Sequence, residues 1–323
     1  MKNFNIMLSC AGRRVSLMHI IERSLGELGL GGKVLATDAQ TLAPAFQAAK
    51  HKALVPLVRD PEFIDVLLDL CDAHEIRCII PTIDTELPIL AENRARFLER
   101  GVTVMVSSPE CIALSNDKRL SHRWFVENDF PTFKQANIDE ALKDPDGWEF
   151  PVFVKPYDGA RSIGARRIDS LEELSQCRDP KLIVQSLGRG VEVTVDAFVD
   201  SRGNCVSVVP RQRLEVRDGE VSKGITLKSE KIMRMIKRLA ERLPGAYGTL
   251  CTQVFYEPDS EAISVMEINP RFGGGYPLTD AAGAHFVRYL IEDILDLPST
   301  AHKHWQQDLV MLRYDEAVFV EKQ

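Results

Sequence analysis

The sequence predicts two fold classes in succession: an α/β domain built on a parallel sheet, then an α+β region with antiparallel strands. In the first third, short apolar runs alternate with segments of helical spacing, as in βαβ units. After about residue 111, strand-like runs follow one another with few helices between them. The length of 323 residues is enough for two or three domains with cores of their own.

The elements of the first third begin with a short apolar run at residues 5–8. A polar turn follows, and apolar residues at helical spacing then cover residues 15–28. Further strands are predicted at residues 33–37, 52–57, 78–81 and 102–106, with helices at 61–74 and 87–100.

The second region opens with a helix over residues 117–128, which Pro131 terminates. Strands then dominate, and their sequence order favours antiparallel pairing. They are predicted at residues 150–155, 165–168, 182–186, 192–199, 205–214, 247–256 and 262–269, with closing strands at 309–312 and 318–320 and helices at 230–243 and 278–295.

Composition excludes several classes of protein. A net charge of −7 disfavours a general nucleic-acid surface. No apolar run is long enough to span a membrane, and the N-terminus is typical of a first strand, not of a signal peptide. Seven scattered cysteines without a CxxC pair indicate reduced thiols in a cytoplasmic protein.

One stretch, VMEINPRFGGGYPLT, aligns polar groups that suit a metal and a phosphate. Glu267, Asn269 and Arg271 are spaced two apart, so a strand would place them on one face and Met266 and Ile268 on the other. Mg²⁺ accepts carboxylate and amide oxygens, and a guanidinium can hold a transferring phosphoryl group. The alternative is a solvated strand face before a glycine-rich turn.

Two lysines lie beside elements that could hold phosphates. Lys155 ends an apolar strand, and the small-residue loop from Gly159 to Gly164 could bring backbone N–H groups close to phosphate oxygens. Lys118 stands at a predicted helix start, after residues with N-cap chemistry. Each lysine taken singly is also compatible with a surface position.

The segment LIVQSLGRGVEVTVD supplies a linker-like strand end and then a polar strand face. Backbone groups of Gln185, Ser186 and Leu187 could bind an adenine edge, and Glu192 could bind ribose hydroxyls. The alternation of polar residues with valines is equally that of an ordinary amphipathic strand.

These four segments occur in an order that resembles the ATP-grasp superfamily. NDK, FVKP, VEVTVD and MEINPRFGGG carry the resemblance over residues 5–296, and it is closest to the synthetase half-modules of carbamoyl-phosphate synthase large chains. It implies a Rossmann-like pre-ATP-grasp domain and a two-lobed ATP-grasp domain. The domains are predicted at residues 1–111 (pre-ATP-grasp), 112–187 (small lobe and linker helix), 188–300 (large lobe with the metal site) and 301–323 (C-terminal tail).

The resemblance also implies roles for individual residues, with ATP and Mg²⁺ (or Mn²⁺) as cofactors. Gln185 stands where many members have glutamate, which threatens adenine selectivity more than chemistry. The implied roles are Lys118 and Lys155 on the ATP phosphates; Gly159, Ser162 and Gly164 in the covering loop; Gln185, Ser186 and Leu187 at the adenine hinge; Glu192 on ribose; Glu267, Asn269 and Gln253 on the metal; and Arg271, with Lys155, in catalysis.

The implied chemistry is ATP-dependent ligation through an acyl phosphate, with release of ADP. The partners would be a small carboxylate, such as an amino acid, and an amine or ammonia; a homodimer would be unsurprising. Arg211, a further catalytic candidate, and Arg213 alternate on one strand and could bind the carboxylate or the γ-phosphate, or form a charged outer face.

The first domain should help to select the substrate. SCAGRR follows the first strand and opens a helix, so the helix dipole and Arg13 and Arg14 favour an anion there. Asp84 and Glu86 follow another strand and could meet an amino group or cap the next helix. The GxGxxG fingerprint is missing, which argues against an NAD-dependent oxidoreductase even though Asp38 follows the second strand.

Two alternatives keep the fold. A carbamoyl-phosphate-synthase-like enzyme would use bicarbonate and ammonia, but this chain has a single half-module and no glutaminase signature, so it would need a partner subunit. A non-catalytic ATP-binding regulatory module is disfavoured, because a degraded site usually loses its metal ligands, whereas Glu267 and Asn269 are present.

Overall fold

Three sheets organise the chain, which a computed structural model describes over residues 3–159, 163–217 and 219–321. The predicted succession of fold classes is confirmed, since the first sheet is parallel and the other two are antiparallel. Among these described residues, no helix combines the length and the apolar character that crossing a membrane requires.

The N-terminal sheet has five parallel strands in the order β3-β2-β1-β4-β5. Helices cover both of its faces: Ile6 and Leu8 share a core with Met18, while Met7 on the other side shares one with Phe63. Its strands are β1 (Asn5–Ser9), β2 (Val34–Asp38), β3 (His51–Leu54), β4 (Ile76–Pro81) and β5 (Thr103–Val104), with helices α1 (Val15–Glu27), α2 (Pro44–Ala48), α3 (Phe63–Ala73), α4 (Leu87–Glu92) and α5 (Arg94–Leu98).

A smaller antiparallel sheet follows, in the order β6-β9-β7-β8. Val152, Val154 and Ile168 from its strands pack with Trp148 in a separate core. Its elements are β6 (Gln135–Asn137), β7 (Val152–Pro156), β8 (Arg166–Ile168) and β9 (Leu182–Ser186), preceded by α6 (Pro109–Asn116) and α7 (Lys118–Glu127) and joined by α8 (Ile138–Lys143) and α9 (Leu171–Ser175).

The largest sheet has six antiparallel strands in the order β14-β13-β10-β11-β12-β15. Its last strand comes from the segment predicted as the tail. The elements are β10 (Val191–Val199), β11 (Cys205–Arg217), β12 (Glu220–Thr226), β13 (Gly248–Glu257), β14 (Ala262–Asn269) and β15 (Val310–Leu312), with α10 (Glu230–Arg242), α11 (Tyr276–Ala281) and α12 (Phe286–Ile294).

Two predicted long helices are each divided in the structure. The helix at residues 87–100 breaks at Asn93, whose side chain donates to the Ile89 carbonyl and competes with the helical backbone. The helix at residues 278–295 becomes α11 and α12, separated near Gly283, which has a φ of +103°. Residues 318–320 were predicted as a strand and form none.

Candidate active site

A cavity of about 790 Å³ lies where the three sheets meet. The N-terminal domain contributes Arg14 and Asp84, which follow β1 and β4. The small sheet contributes Lys155 and Gln185, and the large sheet contributes Glu267. Side chains of the sign and type needed for a nucleotide and an organic acid therefore face one space.

The structure brings most of the sequence-predicted site residues to this cavity. Ser162 lies outside the described residues, and Gly164 follows the cavity-lining Ile163 with a φ of +75°. The predicted residues that line the cavity are Lys118, Lys155, Gly159, Gln185, Ser186, Leu187, Glu192, Arg211, Gln253, Glu267, Asn269 and Arg271.

A β-bulge in β14 changes which residues face the cavity. Gln253 pairs with Glu267, but its neighbour Val254 pairs with Val265, so Met266 is an extra residue. Both Met266 and Ile268 border the cavity, but Ile268 packs in the core as predicted, whereas Met266 does not join that core. The expected packing of Met266 is therefore wrong, because the bulge interrupts simple alternation.

The predicted metal ligands form one hydrogen-bonded group. Gln253 Nε2 donates to Glu267 Oε1 at 2.7 Å, and Asn269 Nδ2 donates to the same oxygen at 3.2 Å. Among the described residues, no group of three or more His, Cys, Asp or Glu side chains could hold a metal. The donor set is one carboxylate and two amides, which suits a hard cation that is also bound by phosphate.

Two buried lysines face the cavity from the small-sheet side. Lys155 is 8% exposed, and burial together with the nearby Lys118 lowers its pKa to about 8 against the opposing effect of Glu267. Lys118 Nζ donates to the Gly159 carbonyl at 2.5 Å, which ties the start of α7 to the glycine loop. An anionic ligand would relieve the repulsion between the two ammonium groups.

Two residues of the predicted hinge already form hydrogen bonds within the protein. The Ser186 N–H donates to the Lys134 carbonyl at 3.0 Å, and Gln185 Nε2 donates to Gln135 Oε1 at 2.6 Å. Leu187 is the hinge residue with an exposed side chain in the cavity. An adenine edge therefore cannot use the Ser186 N–H without displacing a backbone bond.

Aromatic residues beside the hinge were missed by the sequence analysis. Phe133 and Phe255 meet edge-to-face with centroids 5.7 Å apart, and Phe153 also lines the cavity. Strand alternation could have predicted two of them. Phe153 is two residues from Lys155 and Phe255 is two residues from Gln253, so each phenylalanine shares a strand face with a predicted site residue.

Carboxylates hold three of the arginines that line the cavity. Arg271 makes a bidentate pair with Asp84, at 2.7 and 2.6 Å, and Asp84 raises its pKa against the effect of burial. The buried Arg211 pairs with Asp196 through two bonds of 2.9 Å. Asp84, considered for an amino group, instead links the N-terminal domain to the end of β14.

Glu192 also forms an ion pair within the protein. It was predicted to bind ribose hydroxyls, but its carboxylate accepts a hydrogen bond from Arg213. Arg213 in turn donates to the Gly219 carbonyl at 3.1 Å, so this pair joins β10, β11 and the turn before β12. Ribose binding at Glu192 remains a prediction that requires sharing the carboxylate with Arg213.

Two other acids have structural roles in the N-terminal domain. Glu86 is fully buried and accepts hydrogen bonds from the Ser9 hydroxyl at 2.5 Å and the Thr82 N–H at 2.7 Å; burial raises its pKa. Asp38 accepts from the Gly12 N–H at 2.8 Å and closes the loop after β1. Neither carboxylate is free to bind a substrate.

The glycines after β14 are required by the protein's own packing. A Cβ on Gly275 would lie 2.1 Å from Arg211 Nη1, and one on Gly273 would lie 2.7 Å from Cys251 Sγ. The turn can therefore pass over the buried Arg211 only without side chains.

Two family models match parts of the chain. Residues 6–105 match the family model of the N-terminal domain of PylC-like proteins. Residues 178–317 match the model described as ATP-grasp in the biosynthetic pathway with Ter operon. The chain contains an ATP-grasp domain.

Two curated proteins are among the relatives of this chain. A formate-dependent phosphoribosylglycinamide formyltransferase of Synechococcus sp. is 26% identical over 58% of this chain and 49% of that protein. A carbamoyl phosphate synthase large chain of Clostridium botulinum is 25% identical over 60% of this chain and 21% of that protein. The chain thus spans half or less of these relatives, and the predicted resemblance to carbamoyl-phosphate synthase large chains is confirmed.

Solved structures confirm the fold. The biotin carboxylase domain of the Hydrogenobacter thermophilus 2-oxoglutarate carboxylase superposes with a TM-score of 0.74 at 17% identity, covering 96% of this chain and 74% of that one. At this identity the likeness concerns the fold alone.

Proposed function

We propose that this protein is an ATP-dependent, ADP-forming carboxylate–amine ligase that uses an acyl-phosphate intermediate. The observation that supports this most is the composition of one cavity. It collects Lys118 from the start of α7, Lys155 from the small sheet, and the Glu267–Asn269 pair and Arg271 from β14 and the turn after it. Cations for phosphates, oxygen ligands for a metal and a guanidinium for developing charge are the components that phosphoryl transfer needs.

ATP would bind with its base between the hinge at Leu187 and the aromatic side chains of Phe133 and Phe255. Lys118 and Lys155 would bind the phosphates and neutralise their charge. Glu267, Asn269 and Gln253 would hold Mg²⁺, or Mn²⁺ with the same ligand preference, which when bound neutralises phosphate charge. The oxygen-only donor set fits such an ion.

The reaction would proceed in two displacements. An oxygen of the substrate carboxylate attacks the γ-phosphorus, the bond to the β-phosphate oxygen breaks and ADP leaves. The amine nitrogen then attacks the acyl carbon, the acyl–oxygen bond breaks and phosphate leaves. Arg271, beside Asn269, would stabilise charge on the transferred group, and its pairing with Asp84 would keep the guanidinium in position.

A carbamoyl-phosphate-synthase-like reaction is the second candidate. The likeness to the Clostridium botulinum carbamoyl phosphate synthase large chain favours it. In that case bicarbonate replaces the organic acid and ammonia replaces the amine. A regulatory ATP-binding module is disfavoured by the complete set of charged groups in the cavity.

The test measures ADP release from ATP and Mg²⁺. Pooled amino acids and other small carboxylates, each with pooled amines, are supplied in separate reactions, and bicarbonate with ammonia in another. The Glu267→Gln variant serves as the control. ADP release that requires one acid pool and is lost in the variant supports the ligase; release with bicarbonate and ammonia alone favours the second candidate. No release from any pool, with nucleotide still bound, contradicts both.

A further inference from the structure

We propose that the loop between β1 and α1 binds a non-reacting anionic group of a substrate, with Arg14 as its main contact. The inference rests on the proposed function and extends it to a substrate class. At least one substrate would carry a carboxylate or a phosphate monoester in addition to the group that reacts.

The loop lies in a local excess of positive charge. Arg211, Arg213 and Arg271 each have a carboxylate of their own. Glu220, by contrast, is shared among the described residues by three guanidinium groups. Arg313 lies 3.0 Å from it and Arg13 lies 3.7 Å from it, while Arg14 interacts with it electrostatically at longer range.

Arg14 itself lacks a bonded partner among the described residues. Its side chain lines the cavity and is half-buried, yet it forms no ion pair or hydrogen bond with any residue that the structure describes. Burial, and then repulsion by Arg271 and Arg313, lower the pKa of Arg14 against the effect of Glu220. A half-buried cation without a hydrogen-bonded partner has lost part of its hydration, and a bound anion would offset that cost.

Arg14 precedes a helix whose N-terminus has no side-chain cap. The 13-residue α1 begins at Val15, and Arg14 at its N-cap makes no side-chain cap. The amide groups of the first turn therefore lack a side-chain acceptor at the cap, and the helix dipole favours an anion beside them. The Gly12–Asp38 hydrogen bond holds the loop in this conformation.

The position of Arg14 links this subsite to the reacting groups. A Cβ on Gly274 would lie 3.2 Å from Arg14 Nη1 and 3.0 Å from a Glu220 oxygen, so the turn after β14 runs directly past both. Arg271 belongs to the same turn. A small molecule could therefore place one anionic end at Arg14 and its reacting group near Arg271.

The test separates this subsite from the nucleotide site by calorimetry. The protein is first titrated with a non-hydrolysable ATP analogue and Mg²⁺, which fills the phosphate positions. Succinate and methyl phosphate are then titrated separately, so that the two sources of anion are distinguished. Methylammonium is the opposite-charge control. The variants are Arg14→Ala and Arg14→Lys, with Arg13→Ala as the matched control, because Arg13 is 64% exposed and next in sequence.

We expect one of the two anions to bind the wild type, and Arg14→Ala to bind it at least about tenfold more weakly, as loss of a bond to a charged group implies. Arg14→Lys should recover part of the affinity, and Arg13→Ala should stay within about threefold of the wild type. All variants should bind the ATP analogue equally, which shows that they are folded.

Three binding results would overturn the inference. If neither anion binds the wild type, or if Arg14→Ala binds it as tightly as the wild type, the subsite does not exist. Preferential binding of methylammonium would also refute it. If the ATP analogue itself fails to bind any form of the protein, the proposed function fails first.

Discussion

The two ends of the cavity differ in whether carboxylates of the protein compensate their positive side chains. At the small-sheet end, Lys118 and Lys155 are almost buried, and neither forms an ion pair with a carboxylate of the described residues. At the other end, Arg211, Arg213 and Arg271 are each paired with a carboxylate, and among the described residues Arg14 is the cavity arginine without such a pair. Cations of the first kind are available for a ligand, whereas those of the second kind are already used to join elements of the fold.

The difference has an energetic basis. An ammonium group buried without a counter-ion destabilises the folded protein, so its retention indicates a ligand that supplies the missing negative charge. When one partner of a bidentate arginine–carboxylate pair is removed, the stabilising contribution of the pair is lost. The other charge then stays buried without a partner. Substitutions at the two ends should therefore affect different measurements.

The largest effect on activity is expected at Glu267. Replacing Glu267 by Gln keeps the size of the side chain but removes the carboxylate between Gln253 and Asn269. We expect turnover to fall by about a thousandfold or more, as for loss of preorganised charge at a reacting centre, with the melting temperature little changed. ADP release and thermal unfolding are measured together. Glu261→Gln, an exposed change in the same hairpin, is the control; near-wild-type turnover in Glu267→Gln would remove Glu267 from the metal site.

The role of Glu267 could be anticipated from sequence because it depends on local spacing. Glu267, Asn269 and Arg271 recur at the period of a strand, and the glycines that follow mark its end. The extra residue at Met266 could not be anticipated. It depends on how β14 pairs with β13, which no pattern within β14 specifies.

Long-range ion pairs were the other part that the sequence could not show. Asp84 and Arg271 are 187 positions apart, and only the packing of the N-terminal domain on the large sheet brings them together. Strand β12 was missed because EVSKGIT has few apolar residues, and its edge partner β15 comes from the distant tail. Periodic, half-buried elements were predictable, whereas contacts between domains were not.

The next largest effect is expected on stability at the paired end. Arg211 is 1% exposed and bound to Asp196, which also accepts from Thr279. Replacing Arg211 by Ala leaves a buried carboxylate unpaired, so the free energy of unfolding should fall by about 3 to 5 kcal/mol. Chemical denaturation measures it, with the exposed Arg202→Ala as the control. A stable variant that has lost only turnover would show that Arg211 acts chiefly on substrate, as the sequence analysis predicted.

A smaller effect, on binding alone, is expected at Lys155. Lys155→Ala removes a cation that would contact phosphate, so nucleotide affinity should fall by about 10- to 100-fold, the range of a hydrogen bond to a charged group. Stability should not decrease, because the substitution relieves burial of an unpaired charge. Calorimetric titration with the ATP analogue tests this, and the exposed Lys143→Ala in the same lobe serves as the control. Equal affinities for the two variants would contradict a phosphate role for Lys155.

The smallest effect is a pH dependence of nucleotide binding that arises from the same lysine. Burial first, and then Lys118, lower the pKa of Lys155 from 10.5 to about 8 in the unliganded protein. A bound phosphate favours the charged form of Lys155. Below about pH 8 the lysine is already charged, so binding takes up no proton, whereas above about pH 8 binding takes up one proton. Affinity should be level from about pH 7 to about pH 8 and then weaken by up to about tenfold per pH unit.

Calorimetry in two buffers of different ionisation enthalpy would measure the proton uptake directly. Lys155→Arg keeps its charge throughout this range and should give a nearly level profile. If the wild type is also level up to about pH 9.5, burial does not lower the pKa of Lys155 in the unliganded protein, and Lys155 then belongs with the fully charged cations of the cavity. The contrast between an unpaired lysine end and a paired arginine end would then rest on Lys118 alone.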